Sequence, residues 1–447
     1  MSQISQSPFE WVQFDEHGAL LTPSAVANLT TALGSNGASD LVIISHGWKT
    51  DETGAEQLYE PLWGNVTSSL VATGTLDPTK IVVGGVLWPS LQFQQDFDAK
   101  DMQRVGTGGT LDLSGATAIQ DLDDATFNSV VDGFVALVGS AGEPVRSAAI
   151  ANQDGFTDAS AKELLTALHG AVGLATAALD LELADDANRL SGDPLTTLEK
   201  LEGPPRLEVD PSAGGTLSLI SALQGALAGP KAAVARLLNQ FTYFEMKNRA
   251  GIVGAQLGGT FLPLVRPASP VRLHLIGHSF GARLATAAVC SFNNQADLQL
   301  RSLTMLQGAF SHNALAANLS GGKAGAFATV LSARKVDGPI SITHTHNDSA
   351  CTIAYALASR LSNDTTQAIG DANDPFGAMG ANGAQNLEAT AVCNAGPLVP
   401  GQARYGLNAK LVNNVLGDAC IGEHMDVTNR DVGALVASVL SIAAAAS

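Results

Sequence analysis

A serine with glycines two positions to either side, Gly277-His278-Ser279-Phe280-Gly281, follows an apolar run, Val271 to Ile276, and precedes a stretch of small residues, Ala282 to Val289. A strand that turns directly into a helix presents the side chain at its tip, and a serine there becomes a nucleophile once a neighbouring base takes its proton. The glycines let strand and helix approach without Cβ collisions, and the serine would be held in a strained backbone conformation. In a chain with 46 glycines the pentapeptide alone is weak, since a glycine-rich turn without chemistry satisfies it too. Three other segments add to it. Ser45-His46-Gly47-Trp48 directly follows the β-branched run Asp40 to Ser45. Asp348 closes the apolar strand that starts at Ile340, although it would equally serve as an N-cap for the run Ala350 to Leu361. His424, in Gly422-Glu423-His424-Met425-Asp426, is the one histidine of nine that lies C-terminal to Asp348.

Together these segments resemble the α/β-hydrolase superfamily, in its serine esterase and lipase-like branch. Its members often carry His-Gly after an early strand and order their triad as serine, acid, histidine, the order of Ser279, Asp348 and His424 here. The resemblance implies that Ser279 is the nucleophile, His424 the base and Asp348 the residue that orients it. It further implies an oxyanion hole from the backbone N–H groups of Trp48 and Phe280, with Trp48 also walling an acyl pocket. His46, Gly47 and His278 are expected to border the substrate, without a proton-transfer role for either histidine. Asp337, Asp364, Asp371 and Asp374 are weaker candidates for the acid because no strand leads into them. The implied reaction is hydrolysis of carboxylic esters of hydrophobic, small-to-medium substrates through an acyl-enzyme. Amide or peptide cleavage, or acyl transfer to another alcohol, would use the same three residues, and analogy from fold does not separate them. A hydrolase-fold binding protein without activity is a further alternative, against which the intact Ser, Asp and His speak.

The spacing His344-x-His346-x-Asp348 also matches the metal-binding core of metallo-β-lactamase-like hydrolases, which would make these residues zinc ligands. Position 349 is serine where those motifs continue with histidine, and only His424 lies downstream, so no metal is expected. Gly321-Gly322-Lys323 lacks the upstream glycine and the following Ser or Thr of a phosphate-binding loop, and Gly251-x-x-Gly254 is no dinucleotide fingerprint. No nucleotide or redox cofactor is indicated. A net charge of −18 argues against a nucleic-acid partner and against docking on anionic lipid. No apolar run reaches the length needed to span a bilayer, and Met1 to Glu10 does not resemble a secretory signal. The four cysteines show no C-x-x-C spacing, so a reduced cytoplasmic setting is the expectation, with a Cys393–Cys420 pairing left open.

Such a site needs parallel strands that end on one edge of a sheet. The chain supplies apolar runs at 40–45, 81–88, 271–276, 301–306, 340–345 and 409–416. Helical patterns at 55–72, 241–257, 282–293, 350–361 and 429–445 come between or after them. Alternation of this kind predicts an α/β fold with a mostly parallel central sheet covered on both faces. Residues 9–21 suggest a β-hairpin and 362–406 a loop. Between about 91 and 235 β-branched runs disappear and helical patterns follow one another, as at 129–138, 161–183 and 217–227. The expected organisation is a catalytic core from residues 1–90 and 236–447, with 91–235 inserted as a helical cap or lid. Leu217, Leu219, Leu223 and Leu227 would offer that cap's apolar face to a hydrophobic substrate.

Overall fold

In a computed structural model the placed residues are 1–35, 37–48, 50–90, 121–173, 182–183, 190–202, 228–319, 322–354 and 377–446. The chain is an α/β protein built on a nine-stranded sheet in the order β1-β2-β4-β3-β5-β6-β7-β9-β8. Its strands are β1 (Ser2–Ile4), β2 (Ser7–Gln13), β3 (Asp40–Ser45), β4 (Ile81–Leu87), β5 (Val271–His278), β6 (Leu298–Leu306), β7 (Ile340–His344), β8 (Val392–Pro397) and β9 (Val412–Leu416). Only the β1–β2 pairing is antiparallel. All other strands therefore end on the same edge, which carries the β3, β5, β7 and β9 exits. The helices are α1 (Ser24–Ser35), α2 (Glu52–Thr73), α3 (Asp124–Val138), α4 (Glu143–Ala151), α5 (Asp158–Ala171), α6 (Pro194–Glu202), α7 (Pro230–Gln256), α8 (Phe280–Ser291) and α9 (Arg430–Ala445).

Contacts divide the chain into two units. One comprises Met1–Leu91, Met246–Ala356 and Gly370–Ser447, the other Gln92–Glu245 and Leu357–Ile369. In the first, β3 is buried along its whole length, as its Asp-Leu-Val-Ile-Ile-Ser run requires of a central parallel strand. Helices α2 and α9 pack their apolar faces into one core with it, through Leu62, Trp63, Val66 and Leu70 of α2 and Leu435, Val436, Val439 and Leu440 of α9, among other residues. The second unit has its own helical core, in which Phe127, Val130 and Phe134 of α3 meet Leu164 and Leu168 of α5 and Leu238 and Phe241 of α7. Leu217, Leu219, Leu223 and Leu227, like Asp364, Asp371 and Asp374, lie outside the placed residues.

Several elements depart from expectation. The hairpin at 9–21 reduces to one antiparallel bridge, Phe14 to Leu20, because β2 instead lies parallel to β4 while β1 takes its other edge. Helix α7 starts eleven residues before the expected 241, at Pro230. The stretch after Asp348 forms a π-helical turn, Ala350–Ala354, and the rest of the helix expected over 350–361 lies outside the described residues. Within 377–406 the chain adds edge strand β8, whose Val-Cys-Asn-Ala-Gly-Pro run has little β-branched content to announce it. Cys393 and Cys420 are both free thiols, as are the other two cysteines, so the pairing left open does not form. Among the described residues no helix is long and apolar enough to cross a membrane.

Candidate active site

Strand β5 runs to His278, and α8 begins at Phe280, so a single residue makes the turn. That residue is Ser279, with φ 57° and ψ −124°. A non-glycine residue there carries strain of about 1–3 kcal/mol and persists only where its surroundings hold it. They do so through backbone bonds on both sides. The Ser279 N–H donates to Leu306 O at 3.0 Å, and its carbonyl accepts from Ala282 N at 3.0 Å and Ala309 N at 3.3 Å. The flanking glycines are required by contact distance. A Cβ on Gly277 would lie 2.1 Å from Gly281 O, and one on Gly281 would lie 2.3 Å from His46 O and 2.4 Å from Ser45 O. Gly47 faces Ser279 itself, since its Cβ would sit 2.6 Å from Ser279 Cβ.

His424 reaches Ser279 from the loop between β9 and α9, with Nε2 2.8 Å from Ser279 Oγ. Its Nδ1 lies 2.7 Å from Asp348 Oδ2, on the loop after β7. Asp348 is fully buried, and an ionised carboxylate only accepts, so the proton sits on Nδ1 and Nε2 is left to accept from the serine hydroxyl. The electrostatics agree from both partners. Burial alone would raise the Asp348 carboxyl, but His424 beside it holds it below the ordinary carboxylate range. Burial alone would lower His424, yet the Asp348 charge, with a smaller contribution from Glu423, holds it above its ordinary value. Asp348 also does what its alternative reading required: Oδ1 accepts from Cys351 N at 2.9 Å and caps the following turn. One carboxylate oxygen thus caps while the other orients His424.

His278 points its Nε2–H at the backbone carbonyl of His424, 2.9 Å away, with ring centroids 4.8 Å apart. Burial and the neighbouring His424 push it down to about 3, so it stays neutral and holds the His424 backbone. His46 is completely buried, stacked on Trp88 at 5.6 Å, with Nδ1 2.8 Å from Gly47 O, and burial takes it down to about 4. Both histidines, expected at the substrate, are engaged with protein partners and brace the loops on which the site stands. Trp48 is half-buried on the loop after β3, with its ring 6.1 Å from that of Phe280, the first residue of α8. The N–H of such a first residue is among those a helix does not bond internally, and it points out of the helix N-terminus.

The His-x-His-x-Asp spacing does not assemble. Strand β7 ends at His344, after which the three side chains take separate partners. His344 is held near the backbone of Ala381 and lowered by burial to about 4. Exposed His346 pairs with Asp418, its Nδ1 2.9 Å from Oδ2, and Asp348 belongs to His424. Among the described residues, the one group of three potential metal donors close to one another is Asp348, Cys351 and His424, which is the hydrogen-bonded Asp348–His424 pair with an adjacent thiol. Burial raises that thiol well above the ordinary range, so it stays protonated 3.9 Å from His424 Nδ1.

Sequence reading passed over Gln307. It follows the apolar strand β6 directly and precedes Gly308, a position where a polar residue ends on the site's edge of the sheet. Its side chain is buried and its Nε2 donates to Asp348 Oδ2 at 3.1 Å. Comparison with protein-family models, with characterised proteins and with solved structures finds no match to this chain.

Proposed function

We propose that the protein is a serine hydrolase of the α/β-hydrolase fold that cleaves carboxylic esters of hydrophobic, small-to-medium substrates. The observation that carries this reading is the continuous relay from Asp348 Oδ2 to His424 at 2.7 Å and from His424 to Ser279 Oγ at 2.8 Å, ending on a serine in a strained turn. The topology supports it. Ser279 follows β5, the acid and the base follow two later parallel strands, and His46-Gly47-Trp48 follows β3, the place from which a second oxyanion donor is drawn in that fold.

In the proposed reaction His424 Nε2 takes the hydroxyl proton as Ser279 Oγ bonds to the ester carbonyl carbon. The carbonyl oxygen gathers negative charge and is bound by the backbone N–H groups of Phe280 and Trp48, each worth about 3 kcal/mol in such sites. Collapse of the tetrahedral intermediate breaks the bond to the alkoxy group, which leaves with the proton from His424. A water then gives its proton to the same nitrogen, attacks the acyl carbon and returns Ser279 with a free carboxylic acid. Amide hydrolysis or transfer to a second alcohol differs only in the leaving or attacking group.

The test is labelling by a fluorophosphonate probe, with Ser279→Ala alongside. Stoichiometric labelling that vanishes in the variant is expected, followed by turnover of a panel of esters and matched amides of graded acyl length. Folded wild-type protein that takes up no probe and turns over no panel member would refute the reading.

A further inference from the structure

Two neighbouring parallel strands are each followed directly by a residue with positive φ: β5 by Ser279 at 57°, and β6 by Gln307 at 47°. Positive φ in a non-glycine residue is uncommon, and it clusters where a side chain must be delivered to a site. At the end of β5 the delivered side chain is the nucleophile. At the end of β6 it is a carboxamide whose Nε2 donates to Asp348 Oδ2 at 3.1 Å and lies 3.2 Å from Gly380 O. That acceptor is the same oxygen that holds His424. The Gln307 backbone is fixed as well, its N–H donating to Thr343 Oγ1 at 3.1 Å. The adjoining residues reach the other end of the relay, where Leu306 O and Ala309 N hold the Ser279 backbone.

We infer that the turn Leu306–Ala309 is a brace that fixes the separation of acid and nucleophile, with Gln307 as a positioning residue that clamps the Asp348 carboxylate. Both oxygens of that carboxylate are then held: Oδ1 by the Cys351 amide, Oδ2 by Gln307 and His424. A carboxylate so held cannot rotate away when His424 becomes an imidazolium. Its charge is shared among three donors, which sets how strongly it stabilises that imidazolium. The inference rests on the serine-hydrolase reading for its kinetic consequences, and on geometry alone for the clamp.

Gln307→Leu keeps the approximate volume and removes the donor. The probe's second-order labelling constant is expected to fall about tenfold. The midpoint of its acidic limb should move upward by a few tenths of a pH unit or more, because a carboxylate with one donor fewer is more basic and holds the imidazolium more firmly. A residue that merely supports folding would lower the labelled fraction and leave the midpoint where it is. An unmoved midpoint with a constant within twofold of wild type overturns the clamp. A second measurement needs neither turnover nor a variant. In isotopically labelled wild-type protein, the Gln307 side-chain amide resonances should follow the titration of His424, since both groups donate to one oxygen. Amide resonances indifferent to that titration overturn the inference even if labelling succeeds. Resonances that follow it uphold the clamp even if the probe does not react and the hydrolase reading falls.

Discussion

Asp348→Asn replaces two accepting oxygens with one acceptor and one donor, at a position where three donors converge. The new amide has two orientations. With its oxygen toward His424, its NH2 confronts the Cys351 N–H, and a buried amide is left without an acceptor at a cost of about 1–3 kcal/mol. With its NH2 toward His424, the conflict moves to Gln307, whose own amide can flip. Its Oε1, buried and without a partner among the described residues, would then accept from the asparagine. The second orientation is therefore preferred by about 2 kcal/mol, less what Nε2 loses at Gly380. It forces His424 Nδ1 to accept, which places the proton on Nε2 and leaves no base facing Ser279. That preference depletes the competent tautomer by tenfold or somewhat more. Loss of the charged hydrogen bond to the imidazolium, about 1.5–3 kcal/mol, removes a further ten- to hundredfold. The product is a fall of roughly 10²–10³ in kcat/KM for ester, or in the probe's labelling constant, with secondary structure unchanged by circular dichroism. A loss under tenfold in folded protein would refute the reasoning, because it would mean that Asp348 neither selects the tautomer nor stabilises the charge.

Three further outcomes follow from the geometry. Because Asp348 holds His424 above its ordinary value of 6.5 and the reaction needs neutral imidazole, labelling should rise with pH through a midpoint above that value; a rate already flat at pH 6 would contradict this. Gly281→Ala drives a Cβ onto two carbonyl oxygens, His46 O and Ser45 O, that belong to the backbone and cannot swing aside, so urea denaturation should show a loss of about 3 kcal/mol. Asp40 is buried, which alone would raise its carboxyl, but hydrogen bonds from His274 and Arg272 hold it well below the ordinary carboxylate range. A depressed value contributes stability that is full above the unfolded carboxyl's pKa and is lost as pH falls below it, so Asp40→Asn should cost about 3 kcal/mol near pH 7 and flatten the acid limb of the urea midpoint.

The placement of residues at strand ends was the legible part. Central parallel strands such as β3 and β5 announce themselves by continuous apolar runs, and those runs place Ser279, Trp48 and Asp348 by counting a few residues past each end. His424 was found by chain order, since no other histidine follows the acid. What escaped is contact across the chain. Nothing local to Gln307 tells that its amide meets a carboxylate 41 residues later, and nothing local to His278 tells that it will hold the backbone of a residue 146 positions away. The His-x-His-x-Asp spacing misled for a related reason. Alternate residues share a face only while a strand lasts, and β7 ends at the first histidine. Strand β8 and the parallel pairing of β2 were decided by available sheet edges, a tertiary effect that outweighs weak local propensity.

The chain holds a second Asp-His-Ser chain of hydrogen bonds, and it shows what the geometry of three side chains does and does not imply. His274 lies 3.0 Å from Asp40 Oδ1 and 2.7 Å from Ser302 Oγ, distances close to those at His424. All three residues are at most 1% exposed, and Ser302 sits within β6, directly across from His274 in the sheet. No carbonyl carbon could approach its hydroxyl without parting two strands. Arg272 donates twice to Asp40, so the carboxylate's charge is already compensated and is not reserved for an imidazolium formed in mid-reaction. Its serine lies within a strand, outside the positive-φ region, and heads no helix. Ser279, by contrast, turns the chain at a strand end, in a conformation that three glycine approaches and the 306–309 turn over-determine, with the head of α8 beside it. Hydrogen-bond distances make the two relays equivalent. Backbone strain at Ser279, its place at a strand end and the head of α8 beside it separate this relay from the polar staple that Ser302 forms between strands.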